Sequence, residues 1–160
     1  MPKIFQLLFL SCFLIFQGCE DDEICIESLS SRLNVSISAQ DSNSVFSINN
    51  LVVTETTDAA TIELLNENAS SFKVLLPEDK ITATYKIDVS FSSSDPLQTK
   101  APITETLTVS YNASNEYVSK ACGFKTKFEN INYSTTGTLT INSPKNTINN
   151  ETETHLILQY

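Results

Sequence analysis

The sequence predicts an all-β protein, an antiparallel β-sandwich of immunoglobulin-like general architecture, with a small β-barrel as the alternative. Three observations predict it. Apolar and polar residues alternate at period two in several segments, the breaks between segments fall at turn-forming residues, and the 3.6-residue helical period is sustained nowhere. The first strand is carried by Leu33, Val35, Ile37 and Ala39. Asp41-Ser42-Asn43 then supplies a turn, because short polar side chains bond their own backbone there. Shorter strands follow at Val45 to Ile48 and Leu51 to Glu55, parted by Asn49-Asn50, then at Thr61 to Leu65 and Phe72 to Leu76. Pro77-Glu78-Asp79 breaks the chain before its cleanest periodic stretch. There Ile81, Ala83, Tyr85, Ile87, Val89 and Phe91 alternate with Thr82, Thr84, Lys86, Asp88 and Ser90, which means a strand with one buried face.

After a turn at Ser94-Asp95-Pro96, Ile103, Leu107, Val109 and Tyr111 repeat the pattern. Glu105 interrupts the inward set near the strand start, where it is expected to reach solvent. The best helical piece is one or two turns over Asn115 to Ala121, with Ser114 as N-cap and Gly123 beyond the end. Strands at Phe124 to Phe128, Thr138 to Ile141 and His155 to Tyr160 complete the set, with a turn at Ser143-Pro144-Lys145-Asn146. The Thr and Ser bias suits strands half exposed to water. No internal repeat or second domain is visible, so residues 25–160 read as one domain, behind a leader (1–18) and a short acidic tether (19–24).

Length and charge narrow the function classes. The chain has 160 residues, 19 acidic against 10 basic, and a net charge of -9. Such a surface repels phosphate backbones, so nucleic acid is excluded as a partner class. Trp is absent and Gly occurs three times, which leaves neither Trp stacking platforms nor Gly-rich phosphate loops.

The N-terminus carries the most specific signal. Met1-Pro2-Lys3 is a minimal positive region, and Ile4 to Phe16 is apolar apart from Gln6 and Ser11. Those thirteen residues have signal-peptide length, whereas a spanning helix needs about 20. Phe16-Gln17-Gly18-Cys19 resembles a lipobox, in which a diacylglycerol joins the thiol and cleavage precedes the modified Cys. Phe16 stands where Leu is more usual, and Gln17 where a smaller residue is. The alternatives are a secreted protein with Cys19 in a disulfide, and an uncleaved membrane anchor. Glu20-Asp21-Asp22-Glu23 follows: four consecutive acids oppose compaction and read as a solvated tether, or as a surface-export signal of the Bacteroidota lipoprotein kind.

Cysteine arithmetic extends this reading. Of Cys12, Cys19, Cys25 and Cys122, the first departs with the leader and the second carries lipid. The even remainder in an oxidising compartment suggests a Cys25–Cys122 disulfide. A metal or redox role lacks a Cys-x-x-Cys and a nearby His.

The stretch Thr104 to Ile131, with Tyr117-Val118-Ser119-Lys120-Ala121-Cys122-Gly123-Phe124 at its centre, resembles the C-terminal signature of a family of uncharacterised Bacteroidota lipoproteins, a domain of unknown function. An early Cys after the lipidated one, here Cys25-Ile26, belongs to the same pattern. Glu27-Ser28-Leu29-Ser30-Ser31-Arg32 departs from it by lacking a Pro. The resemblance covers about two-fifths of the chain. It implies a lipoprotein with a β-rich fold, and no activity.

Catalytic and ligand signatures are weak. His155 is the only His, without a nucleophile motif, and is expected to be exposed on a last strand. Glu151, Glu153 and His155 are the right types for a divalent metal if extended, but they sit beside Asn149 and Asn150 in a segment that reads equally as loop. Asp41-Ser42-Asn43-Ser44 has the opening spacing of a calcium loop without its later Gly and Glu, and reads as a turn. Glu78-Asp79 reads as a turn as well. Tyr111, Tyr117, Tyr133, Phe124 and Phe128 are expected mainly in the core, with a ligand patch as the alternative. Five Asn-x-Ser/Thr sequons, at Asn34, Asn68, Asn112, Asn132 and Asn150, are expected in a chain so rich in these residues. The resulting expectation is a non-enzymatic, lipid-anchored protein of the cell envelope, in the outer membrane, facing either the periplasm or the cell surface. No cofactor or metal is assigned, and the expected partners are the membrane and another envelope protein. A small-molecule or glycan module is the alternative.

Overall fold

In the computed structural model, residues 24–25, 31–57 and 61–160 are described. The leader, Cys19 and Glu20 to Glu23 lie outside them. Ten strands form among the described residues: β1 (Arg32–Ser38), β2 (Phe46–Thr56), β3 (Thr61–Glu67), β4 (Ser71–Leu75), β5 (Thr82–Ser93), β6 (Ile103–Ser119), β7 (Gly123–Thr135), β8 (Thr140–Asn142), β9 (Thr147–Ile148) and β10 (Leu156–Gln159). They make two sheets, ordered β4-β1-β10-β8 and β3-β2-β5-β6-β7-β9, which do not close into a barrel. The expected β-sandwich is therefore the fold, and the barrel alternative falls. Every pairing among the described residues is antiparallel except β1 with β10, where Val35 to Ser38 run parallel to Leu156 to Gln159.

Period two decides which side chains meet between the sheets. From β1 and β10 come Leu33, Val35, Ile37, Leu156 and Leu158; facing them are Tyr85, Ile87 and Val89 of β5 and Leu107, Val109 and Tyr111 of β6, all buried. Apolar burial of this kind supplies most of the folding drive. Two tyrosines tie the layers together at their polar tips. The Tyr85 hydroxyl donates to the Leu75 carbonyl (2.7 Å), and that of Tyr111 to the Pro77 carbonyl (2.7 Å). Burial raises both phenols, Tyr111 to about 12, so each remains a donor at physiological pH.

Four local expectations are corrected. Asn49-Asn50 is not a turn: β2 runs through it, and the slack becomes a register shift between Ile48 and Asn50. Asn115 to Ala121 is not helical. It continues β6 into a hairpin with β7, whose turn is Lys120-Ala121-Cys122 and whose Gly123 takes a left-handed φ of +72°. Ile81 precedes β5 and is 74% exposed, so it is not part of the inward row. Glu105 is wholly buried rather than solvated. The two-residue β9 has too short a pattern to be read in sequence.

A bulge in β7 carries part of the core. Asn130 and Ile131 together oppose Tyr111, and Asn130 adopts φ +53°, which Asn tolerates better than most residues. Alternation resets there, so Phe128 and Ile131, three apart, both point inward. Phe128 meets Tyr111 edge to face at 5.2 Å.

Candidate functional site

The β6–β7 hairpin outruns the sandwich. Beyond Tyr111, residues Asn112 to Tyr117 are exposed, so the distal hairpin is a two-stranded ribbon. At its tip Cys122 bonds Cys25, 97 positions away in sequence, with Cα atoms 4.9 Å apart. The disulfide expected from counting cysteines is thus formed, and it fastens the N-terminal approach of the domain to the ribbon turn. In the chain-entropy picture a loop of this size stabilises by about 4–5 kcal/mol. Ser119 braces the turn by accepting the Cys122 amide at 3.0 Å.

The candidate aromatic patch divides. Tyr111 and Phe128 are core residues, as expected, and Tyr133 is partly buried against that core. Tyr117 and Phe124 are not. They stand opposite each other near the ribbon tip, with ring centroids 5.4 Å apart, at 59% and 65% exposure.

At the opposite end of the sandwich lies a group that sequence reasoning missed. Lys100 places its ammonium 4.4 Å from the Tyr160 ring centroid, 5.0 Å from Phe91 and 5.7 Å from Phe46. Such spacing gives cation–π attraction to three rings. An open cleft of about 690 Å³ borders this cage, lined in part by Asp41, Asn43, Gln98 and Lys100. The four cage residues are far apart in sequence, so no local pattern could have joined them. Asp41 itself forms the turn expected of it, accepting the Asn43 amide at 2.9 Å.

His155 is buried, against the expectation of an exposed residue. It immediately precedes β10, and its backbone exchanges bonds with Lys145 and Asn34 (both 2.9 Å), while Nδ1 accepts the Asn34 amide at 3.0 Å. Burial holds its pKa below the ordinary histidine value. The imidazole thus braces the β1–β10 pairing through Nδ1, while its buried Nε2 has no hydrogen-bond partner. The neighbouring acids diverge from it: Glu151 pairs with Arg32 at 3.5 Å and Glu153 with Lys145. Among the described residues no three His, Cys, Asp or Glu side chains converge on a metal position.

Glu105 has a structural assignment. Oε1 accepts the Thr136 amide (2.7 Å) and hydroxyl (3.3 Å), and Oε2 accepts the Leu139 amide (3.1 Å). These bonds satisfy the tight connection from β7 to β8. Gly137 makes the approach possible, since a Cβ there would fall 2.6 Å from Oε2. Glu78 likewise sits in its expected turn, and its Oε1 accepts the Thr126 hydroxyl at 2.6 Å.

Comparison with protein-family models, with characterised proteins and with solved structures finds no match for this chain. No helix among the described residues is long and apolar enough to cross a membrane.

Proposed function

We propose that the protein is a lipid-anchored, non-enzymatic module of the cell envelope, held to the outer membrane through Cys19 and acting through its sandwich surface on another envelope protein. The resemblance of Phe16-Gln17-Gly18-Cys19 to a lipobox, and of the Cys122 region to a Bacteroidota lipoprotein family, belongs to the same proposal. The observation that carries it is the Cys25–Cys122 bridge. That bridge takes up both cysteines that follow Cys19, so after leader removal Cys19 has no disulfide partner in its own chain. This favours acylation over the secreted alternative. Two or three acyl chains make attachment effectively permanent without any spanning segment.

The non-enzymatic part draws support from the enclosed His155 and from the structural use of Glu105. For partner contact the best-suited segment is the edge strand β3. Among the described residues its outer backbone has no strand neighbour, and Ile62 and Leu64 are 50% and 42% exposed. The ligand-module alternative is favoured by a different observation, the cleft beside the Lys100 cage. Mass spectrometry of the native protein tests the anchor: the N-terminal peptide must begin at Cys19 and carry the lipid mass. Cross-linking from β3 on intact cells, against binding of glycan arrays at the cleft, separates the two surface readings.

A further inference from the structure

We propose that the tip of the β6–β7 ribbon rests in the membrane–water interface, with Tyr117 and Phe124 seated among the lipid headgroups. The proposal rests on acylation of Cys19 and adds a second, non-covalent contact to it. Three features of the chain point to a lipid surface as the occupant. The first is reach. Cys25 is bonded to Cys122 at the ribbon turn, and only six residue steps separate Cys25 from Cys19. Fully extended, those steps span at most about 20 Å, so the tip cannot stand farther than that from the acylated sulfur, side-chain lengths aside.

The second is composition of the tip. Tyr117 and Phe124 form an exposed cross-strand pair, and Ile24, next to the bridged Cys25, is 84% exposed. Aromatic rings with one wet and one apolar side are enriched at membrane interfaces. The third is charge. In a chain of net charge -9, the ribbon is nearly balanced: Lys120, Lys125 and Lys127 stand with Glu116 and Glu129, and Lys125 and Lys127 pair with those two acids at 3.9 and 2.7 Å. A ribbon so balanced is not repelled from headgroup phosphates as the rest of this acidic chain is.

The sandwich would then stand on the membrane by its stapled end, with the Lys100 cleft facing away. Absence of Trp makes a direct test possible, since one introduced indole reports one position. Full-length acylated protein carrying Phe124→Trp is placed in phosphatidylethanolamine/phosphatidylglycerol vesicles with brominated acyl chains. The control is Leu97→Trp, 92% exposed in the loop before β6, at the other end of the molecule. Tyr117→Trp gives an independent second probe.

The expected result is at least about twofold quenching at positions 124 and 117 and none at 97, as for rings at headgroup depth. Replacing both Cys25 and Cys122 by Ser should abolish the quenching while the protein stays vesicle-bound. Acylated, vesicle-bound protein with no quenching at 124 and 117 overturns the tip contact and leaves the anchor standing. A blue shift without bromine quenching places the rings against protein and overturns it too. Mass spectrometry of the same sample showing an unmodified Cys19 overturns the anchor, and the tip contact with it.

Discussion

Replacing Glu105 by Gln removes one acceptor from a buried site while keeping its shape. In the wild type the two carboxyl oxygens divide the work, Oε1 facing the Thr136 amide and Oε2 the Leu139 amide. Gln offers a single oxygen, so one backbone N–H must face the side-chain NH₂. Leaving a buried donor unsatisfied costs about 1–3 kcal/mol, and the opposed N–H groups place this case at the upper end, about 3 kcal/mol. With a urea slope near 2 kcal/mol per molar, the unfolding midpoint should fall by about 1.5 M. Far-UV circular dichroism of the disulfide-intact protein measures it, since no Trp is present. Gly137→Ala completes the test, because its Cβ would displace the same carboxyl. If both act there, the double variant loses clearly less than the two singles combined. A midpoint shift under about 0.25 M, or fully additive costs, would falsify the assignment of Glu105 as the acceptor that holds the β7–β8 connection.

Three further outcomes are expected. Replacing Cys25 and Cys122 together by Ser should lower stability by about 4–5 kcal/mol, and a thiol assay on denatured, unreduced mature protein should read zero; two free thiols would refute the bridge. Stability should decline as pH falls below the unfolded histidine value of about 6.5, because the unfolded chain then binds a proton that buried His155 resists. Above that value the contribution is fully present, and His155→Gln should flatten the pH profile just below about 6.5; an unchanged slope would assign it to other groups. Tyr85→Phe removes the 2.7 Å bond to the Leu75 carbonyl and should cost about 1–2 kcal/mol in thermal unfolding, with no measurable loss refuting that bond as a tie between the sheets.

Much of the sandwich was legible because period-two alternation is a local signal. Ala83, Tyr85, Ile87 and Val89 read inward in sequence and are inward in the structure. The disulfide was legible for a different reason, since four cysteines with two assigned elsewhere leave one pair. What failed was decided by distant partners. Glu105 looked misplaced until the β7–β8 connection, some thirty residues on, supplied its donors. His155 looked exposed because its Asn34 partner lies 121 positions earlier. Asn115 to Ala121 had acceptable helix ends, but the register with Phe124 to Phe128 offered a full ladder of cross-strand bonds instead. The Lys100 cage draws on residues 46, 91, 100 and 160, and no window of sequence contains them together.

The bridge between Cys25 and Cys122 also settles how the molecule would bear a pull. Tension applied between Cys25 and Tyr160 passes through the sulfurs and skips everything enclosed between them. Strands β1 to β6 hang outside the covalent load path, and residues 123–160 are the part that can be drawn out. Under drag the protein would shed β7 to β10 first, and would keep most of its length coiled in a closed loop until a reductant opened it.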